Sequence, residues 1–373
     1  MTLEEIRKKI DAIDNQLLPL LTARLDCAQQ VAAIKKESGG PVLNPQREQE
    51  ILDRMETRSE KYGKEIRMLY TAFMESSRAI QHQILGSGEE IRALIRGASR
   101  DLPDSRRIAC QGAEQAYSHQ AALRLFPQGQ PTFYPAFGDV FQALEEHTAD
   151  FGILPVENSS AGSVSDVYDL ILKYRFFIVA ATTVHISHCL AAPPGIRREQ
   201  IQEIYSHPQA LAQCADFIQS AGLKANPFSN TAAAAKMVAQ TGGAIGVICS
   251  QQAAKTYGLD ILSYDIQSTH NNCTRFIAVC RNPVIPPNAQ KISLCFSLPH
   301  TTGSLSSVLS RFALNGLNLT KIESRPLADK NFEYDFYLDF TGNVHQPKTL
   351  DLIASLHEEL PRFSFLGNYL ELE

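Results

Sequence analysis

Residues 3–41 read LEEIRKKIDAIDNQLLPLLTARLDCAQQVAAIKKESGGP, and their apolar spacing decides how the first quarter of the chain folds. Leu3, Ile6, Ile10, Ile13, Leu17, Leu20, Leu21, Leu25, Ala28, Val31 and Ile34 recur every three or four residues. That is the period of one helix face. The pattern predicts a single helix over about 3–36, stopped by Ser38-Gly39-Gly40-Pro41. At about 1.5 Å per residue it would be roughly 50 Å long. A domain of about ninety residues cannot cover such a rod, so a second copy is expected to share it. Pro19 falls inside the pattern. It removes one helix hydrogen bond, at a cost of up to about 3 kcal/mol unless a kink accommodates it.

The same stretch carries Arg7, Arg24 and Lys35. A second helix is expected from Asn44-Pro45, an N-cap followed by proline at the first helical position, and it carries Arg47 and Glu48. A third, from about 64 to 85, places Ile66, Leu69, Phe73, Ser77, Ile80, Gln81 and Ile84 on one side. Ser77 and Gln81, four residues apart, share a face. Singly, such cations are ordinary surface charges. Turned inward they are costly unless something anionic neutralises them. As a set they suggest a pocket for a small polyanion. Arg24 and Lys35 are eleven residues apart, within about 20° of one bearing on a helix. Arg7 lies about 25 Å from Arg24 along the axis and about 100° off that bearing. In an antiparallel pair of long helices Arg7 would enter the partner's pocket, which implies composite sites.

The 373 residues are 44% hydrophobic and 20% charged, enough for two to four domains, each with a core. The formal net charge of −5 argues against a generic nucleic-acid binder. The eight cysteines form no C-x-x-C pair and read as reduced thiols of a cytoplasmic protein. The charged N-terminus is unlike a signal peptide, and no apolar run approaches about 18 residues, so no membrane span is expected. No metal-ligand spacing, dinucleotide fingerprint or phosphate loop stands out, so neither a metal nor a cofactor is implied.

From Arg106 short apolar strands (IACQG, DFGILPVEN, FFIVAATTVH, HCLAAP, EIYSH, AIGVIC, RFIAV) alternate with helical stretches, which predicts an α/β domain of two lobes. Four polar turns sit at strand ends: GAEQAYSH (112–119), PVENSSAG (155–162), SHPQ (206–209) and NNCTRF (271–276). Each alone is an ordinary turn or cap, and His207 alone a satisfied core histidine. Pro283, Pro286 and Pro287 then mark a linker. Beyond it the predicted order is β-α-β-β-α-β, the ferredoxin-like motif.

The segments IRKKIDAID, LLTARLDCA, AAIKKE and NPQREQEIL resemble the all-helical chorismate mutase family in order and spacing. The four polar turns together resemble prephenate dehydratase. Gly303-Ser304-Leu305 and Glu323-Ser324-Arg325-Pro326 resemble the two phenylalanine-binding signatures of ACT domains. The resemblance implies three domains: an all-α chorismate mutase domain (1–92), a two-lobed, periplasmic-binding-protein-like α/β prephenate dehydratase domain (105–284) and an α+β ferredoxin-like ACT domain (288–373). It implies a bifunctional enzyme of phenylalanine biosynthesis that is feedback-inhibited by phenylalanine and forms a homodimer or tetramer. Arg7 from the partner and Arg24 would clamp the carboxylates of chorismate. Lys35 and Gln81 would donate to its ether oxygen and Glu48 would position its hydroxyl, with Asn44, Arg47 and Ser77 lining the pocket. Asn44 stands where the family commonly has aspartate. Thr274 would donate to the leaving hydroxyl of prephenate and Arg275 would bind a carboxylate, with Glu157, Asn158, Ser206 and Gln213 lining the cleft. An arogenate dehydratase with a mutase domain, and a non-catalytic two-lobed ligand-binding regulator, are the competing readings.

Overall fold

A computed structural model describes residues 1–103, 107–269, 271–327 and 333–372. Residues 105 and 373, expected boundaries of the middle and last domains, lie outside the described residues. The chain divides into two compact units, Met1–Gly97 with Lys291–Phe365, and Ala98–Gln290 with Leu366–Glu373. The first and third segments of the sequence therefore share one unit.

That unit opens with α1 (Leu3–Ser38), which continues through Pro19. Its start is a capping box. Thr2 Oγ1 accepts from the Glu5 amide at 3.2 Å, and the Glu5 carboxylate accepts from the Thr2 amide at 2.8 Å. α2 (Pro45–Arg58) is capped by Asn44, whose Oδ1 accepts from the Arg47 amide at 3.0 Å. α3 (Gly63–Leu85) packs against both, and α4 (Glu89–Gly97) follows. Along α1 only Ala28 and Ala32 are buried. Leu3, Ile10, Ile13, Leu17, Leu20 and Ile34 are each at least 45% exposed, so the apolar stripe read from the sequence has nothing packed on most of its length.

The second unit has two lobes. The first is built from β1 (Arg107–Gln111), α5 (Tyr117–Leu125), β2 (Gln130–Tyr134), α6 (Phe137–Glu145), β3 (Phe151–Asn158), the two-residue β4 (Gly162–Ser163), α7 (Ser165–Tyr174) and β5 (Phe177–His185). The chain then crosses to the second lobe. This comprises β6 (Cys189–Ala192), β7 (Glu203–Ser206), α8 (Pro208–Gln213), α9 (Ala215–Ser220), β8 (Lys224–Pro227), α10 (Thr231–Thr241), β9 (Ile245–Cys249), α11 (Gln251–Thr256) and β10 (Asp260–Ser263). It returns as β11 (Cys273–Cys280), which lies between β5 and β3, antiparallel to both. The second lobe's sheet runs β10-β6-β9-β7-β8. Its strands read as apolar runs because helices cover them, and Cys189, Ala191, Val247 and Cys249 are fully buried with Ala232, Ala234 and Ala235 of α10.

The remaining elements are β12 (Lys291–Ser297), α12 (Ser304–Leu314), β13 (Leu319–Pro326), β14 (Tyr334–Thr341), α13 (Pro347–Glu359) and β15 (Ser364–Leu372). β12 and β13 flank β14, antiparallel to it. α12 and α13 pack on α3 within the first unit. The far end of β15 pairs parallel with β5, Leu370 opposite Ala180. Gly367 permits that approach, since a Cβ there would meet the Ile178 carbonyl oxygen at 2.1 Å. Among the described residues no helix is long and apolar enough to cross a membrane.

Candidate functional site

The two lobes of the second unit enclose a cleft of about 200 Å³. Its floor is set by strand register. In the β3–β11 pair Thr274 lies opposite Asn158. The Asn158 amide donates to Thr274 Oγ1 at 2.8 Å and to Asn272 Oδ1 at 2.8 Å. Its own Oδ1 accepts from the amides of Ser160 at 3.0 Å and Ala161 at 2.9 Å. Asn158 is thus fixed at both ends. An oxygen that accepts from Asn158 keeps its own hydrogen to donate, so Thr274 is set as a donor at the cleft.

Two helix starts also open there. Ala116, Tyr117 and Ser118 line the cleft at the start of α5, and Asn230 and Thr231 at the start of α10. Ser118 Oγ donates to the Gln111 carbonyl at 2.7 Å. The first amides of a helix and its dipole favour an anion at such a position. Among the described residues lining the cleft there is no lysine or arginine.

Gln213 lines the cleft as expected, with Oε1 2.9 Å from His188 Nε2. His188 was not singled out from the sequence. Its only signal is a polar residue opening the apolar run HCLAA. Burial lowers its pKa, partly offset by Gln213, and burial also lowers that of His207, another lining residue.

Three expected residues lie elsewhere. Ser206 is fully buried and its hydroxyl donates to the Ile248 carbonyl at 2.6 Å. Glu157 and Arg275 pair in register one step from Asn158 and Thr274. Side chains alternate across a strand, so when one pair faces the cleft the next faces away. Arg275 donates to Tyr369 Oη at 2.6 Å and pairs with Glu371 at 2.8 Å.

In the first unit the helical residues gather only in part. Arg24 Nη1 donates to Ser77 Oγ at 3.2 Å and sits over the rings of Phe73 and Tyr70. Lys35 donates to the Val42 carbonyl at 2.8 Å. Its pKa is lowered by burial, an effect that Glu48 opposes. Gln81 is buried, donates to the Ser77 carbonyl at 3.3 Å, and leaves Oε1 without a partner. Glu48 is paired at 2.5 Å with Arg78, a residue the sequence pattern did not flag. Asn44 serves its helix as a cap, Arg47 is exposed beside Glu50, and Arg7 is exposed. Within one copy of the chain Ser77 therefore meets both Arg24 and Gln81, Glu48 lies near Lys35, and Arg7 stays exposed.

Of the C-terminal residues, Gly303 caps α12 in the left-handed region (φ 87°). Ser304 and Leu305 line a cavity of about 480 Å³ with Leu298, Thr301 and Tyr334. Glu323, Ser324, Arg325 and Pro326 lie on β13 and do not line it.

The comparisons agree with this division. The chorismate mutase type II family model matches residues 6–82, and the prephenate dehydratase model matches residues 108–284. A bifunctional chorismate mutase/prephenate dehydratase of Aquifex aeolicus is 32% identical over 98% of this chain and 97% of its own. A chloroplastic arogenate dehydratase/prephenate dehydratase of Arabidopsis thaliana is 38% identical over 73% of this chain and 74% of its own. The solved structure of a prephenate dehydratase from Arthrobacter aurescens in complex with L-Phe is 28% identical, with a TM-score of 0.65, and covers 70% of this chain and 89% of that one. The chain belongs to the bifunctional chorismate mutase/prephenate dehydratase family, enzymes of phenylalanine biosynthesis that rearrange chorismate to prephenate and convert prephenate to phenylpyruvate.

Proposed function

We propose that the two activities reside in the two sites just described, and that the chain works in the cytoplasm as a homodimer, or a tetramer built from it. The Thr274–Asn158 hydrogen bond in the inter-lobe cleft carries the dehydratase assignment. Prephenate loses carbon dioxide and hydroxide in one aromatising step. The C–CO₂ bond breaks, its electron pair enters the ring, and the hydroxyl leaves with a proton donated along the Thr274 hydroxyl. Aromatisation supplies the driving force, so a weak donor suffices if it is aimed. With no lysine or arginine among the described residues lining the cleft, the starts of α5 and α10 are the groups suited to the substrate carboxylates.

The mutase step is pericyclic and needs no nucleophile, base or metal. The site has to hold a compact conformer and stabilise charge growing on the ether oxygen. Arg24 and the partner's arginine at position 7 would clamp the carboxylates, Lys35 and the buried Gln81 would face the ether oxygen, and Glu48 would hold the hydroxyl. The exposed apolar length of α1 supports the shared helix.

Residues 288–373 would act as an ACT domain binding phenylalanine. The β-α-β-β-α-β order and the cavity at Ser304 and Leu305 support this, and β13 would supply a facing wall from a second copy. The plant relatives favour one further reading, arogenate as a substrate of the same cleft. Thr274→Ala should abolish turnover of prephenate and of arogenate while sparing the mutase, and Lys35→Ala should do the reverse. Loss of both activities together in a folded variant would sink the two-site reading, and the rates on prephenate and arogenate decide the substrate.

A further inference from the structure

Where the first unit's N-terminal helices meet α12 and α13, charged side chains are buried in a chain of ion pairs. Glu48 on α2 is held at 2.5 Å by Arg78 Nη1, and Arg78 Nε lies 3.3 Å from Glu359 at the end of α13. Glu359 also pairs with Arg311 of α12 at 2.8 Å and with His82 of α3 at 2.6 Å. The side chains of Arg78, Glu359 and Arg311 are only 10%, 6% and 7% exposed. Beside them a cavity of about 300 Å³ is lined by Glu48, Arg78, Arg311 and Glu359 together with Ser304 and Ser307.

A buried ion pair rarely improves on apolar packing for stability alone, but it fixes geometry, and breaking it strands a charge. Here the geometry fixed is that of Glu48. Its carboxylate lies close enough to Lys35 to act on it, and an unheld negative charge there would repel a dianion that Lys35 attracts. Arg78 both offsets that charge and points the carboxylate, and its planar fork can engage two carboxylates at once. Glu359 occupies the other side of the fork.

We infer that Arg78 is a positioning residue for the mutase, and that Glu359 of the C-terminal module holds it in place, so that chorismate binding depends on a residue more than 270 positions from the mutase helices. This rests on Glu48 lying in the chorismate pocket. The test is steady-state kinetics of both reactions in full-length Glu48→Gln, Arg78→Met, Arg78→Lys, Glu359→Gln and the Arg78→Met/Glu359→Gln double variant. Glu359→Gln and Arg78→Met should each raise the chorismate KM by about threefold to tenfold with a smaller change in kcat, a scale typical of coupling through packed networks. The double variant should be no worse than Arg78→Met, since the two act through one route. Prephenate turnover by the same preparations should not change. If Glu359→Gln destabilises the helices, Arg78→Lys keeps the charge but loses the fork, and should still raise KM. An unchanged chorismate KM in Glu359→Gln and Arg78→Lys, or fully additive effects in the double variant, would overturn the relay. If Glu48→Gln itself leaves KM unchanged, the pocket assignment fails and the relay with it. A raised KM in Glu48→Gln alone rejects the relay and keeps the pocket.

Discussion

Asn158 and Thr274 meet because two antiparallel strands put them opposite each other, and because Asn158 has no spare hydrogen bond with which to turn away. Asn158→Ala should lower dehydratase kcat by about 10²-fold, the scale of losing one aligned donor near a reacting centre. The mutase rate should not change, and assaying both steps on one preparation checks this. The sequence made Thr274 and Asn158 legible as members of polar turns. It did not show that Arg275 and Glu157 sit one register step from that pair, because a motif read as a string ignores alternation. Adjacent residues of a strand cannot both face one cleft. His188 was silent because one histidine at the head of an apolar run has no pattern around it.

At the level of elements, the helices were the easiest to read. The 3.6-residue period and the Gly39 stop place α1 within two residues of its observed ends, and the Asn44 cap places the start of α2. A helix with this much uncovered apolar surface asks for a partner helix, and Arg7, exposed here, asks for a partner's ligand. Mixing an Arg7→Ala chain with an Arg24→Ala chain should restore part of the mutase activity that each lacks alone, because one pocket of each mixed dimer regains both arginines. Sedimentation establishes subunit exchange before the assay. Mixtures no better than the separate variants would rule out a site shared along α1.

On the scale of the whole chain, the grouping of residues 1–97 with 291–365 was not legible. It depends on side chains such as Arg78, Arg311 and Glu359, whose partners are far away in sequence and carry no local period. Burial alone would raise the Glu359 pKa, but His82, Arg311 and Arg78 outweigh it and hold it at about 2, against an ordinary 4.5. A carboxyl depressed on folding contributes stability above its unfolded pKa, and loses it as pH falls toward the folded value. The first unit should therefore weaken between about pH 4.5 and 2, by on the order of 3 kcal/mol from this group. Urea melts followed by circular dichroism at pH 5 and pH 3 should show the loss in the wild type and a flatter dependence in Glu359→Gln. Equal slopes would mean that the group is not held as described.

The same grouping imposes an order on synthesis. The ribosome delivers α1 to α4 first, and the residues that complete their unit only after residues 98–290 have emerged. At roughly 5–20 residues per second that delay is on the order of 10–50 s. Throughout it, Glu75 and Arg78 lack Ser307 and Glu359, and the stripe of α1 stands open. If two chains pair along α1 as proposed, the nascent helices would meet those of a neighbouring chain on the same message, and pairing would begin before either chain is finished.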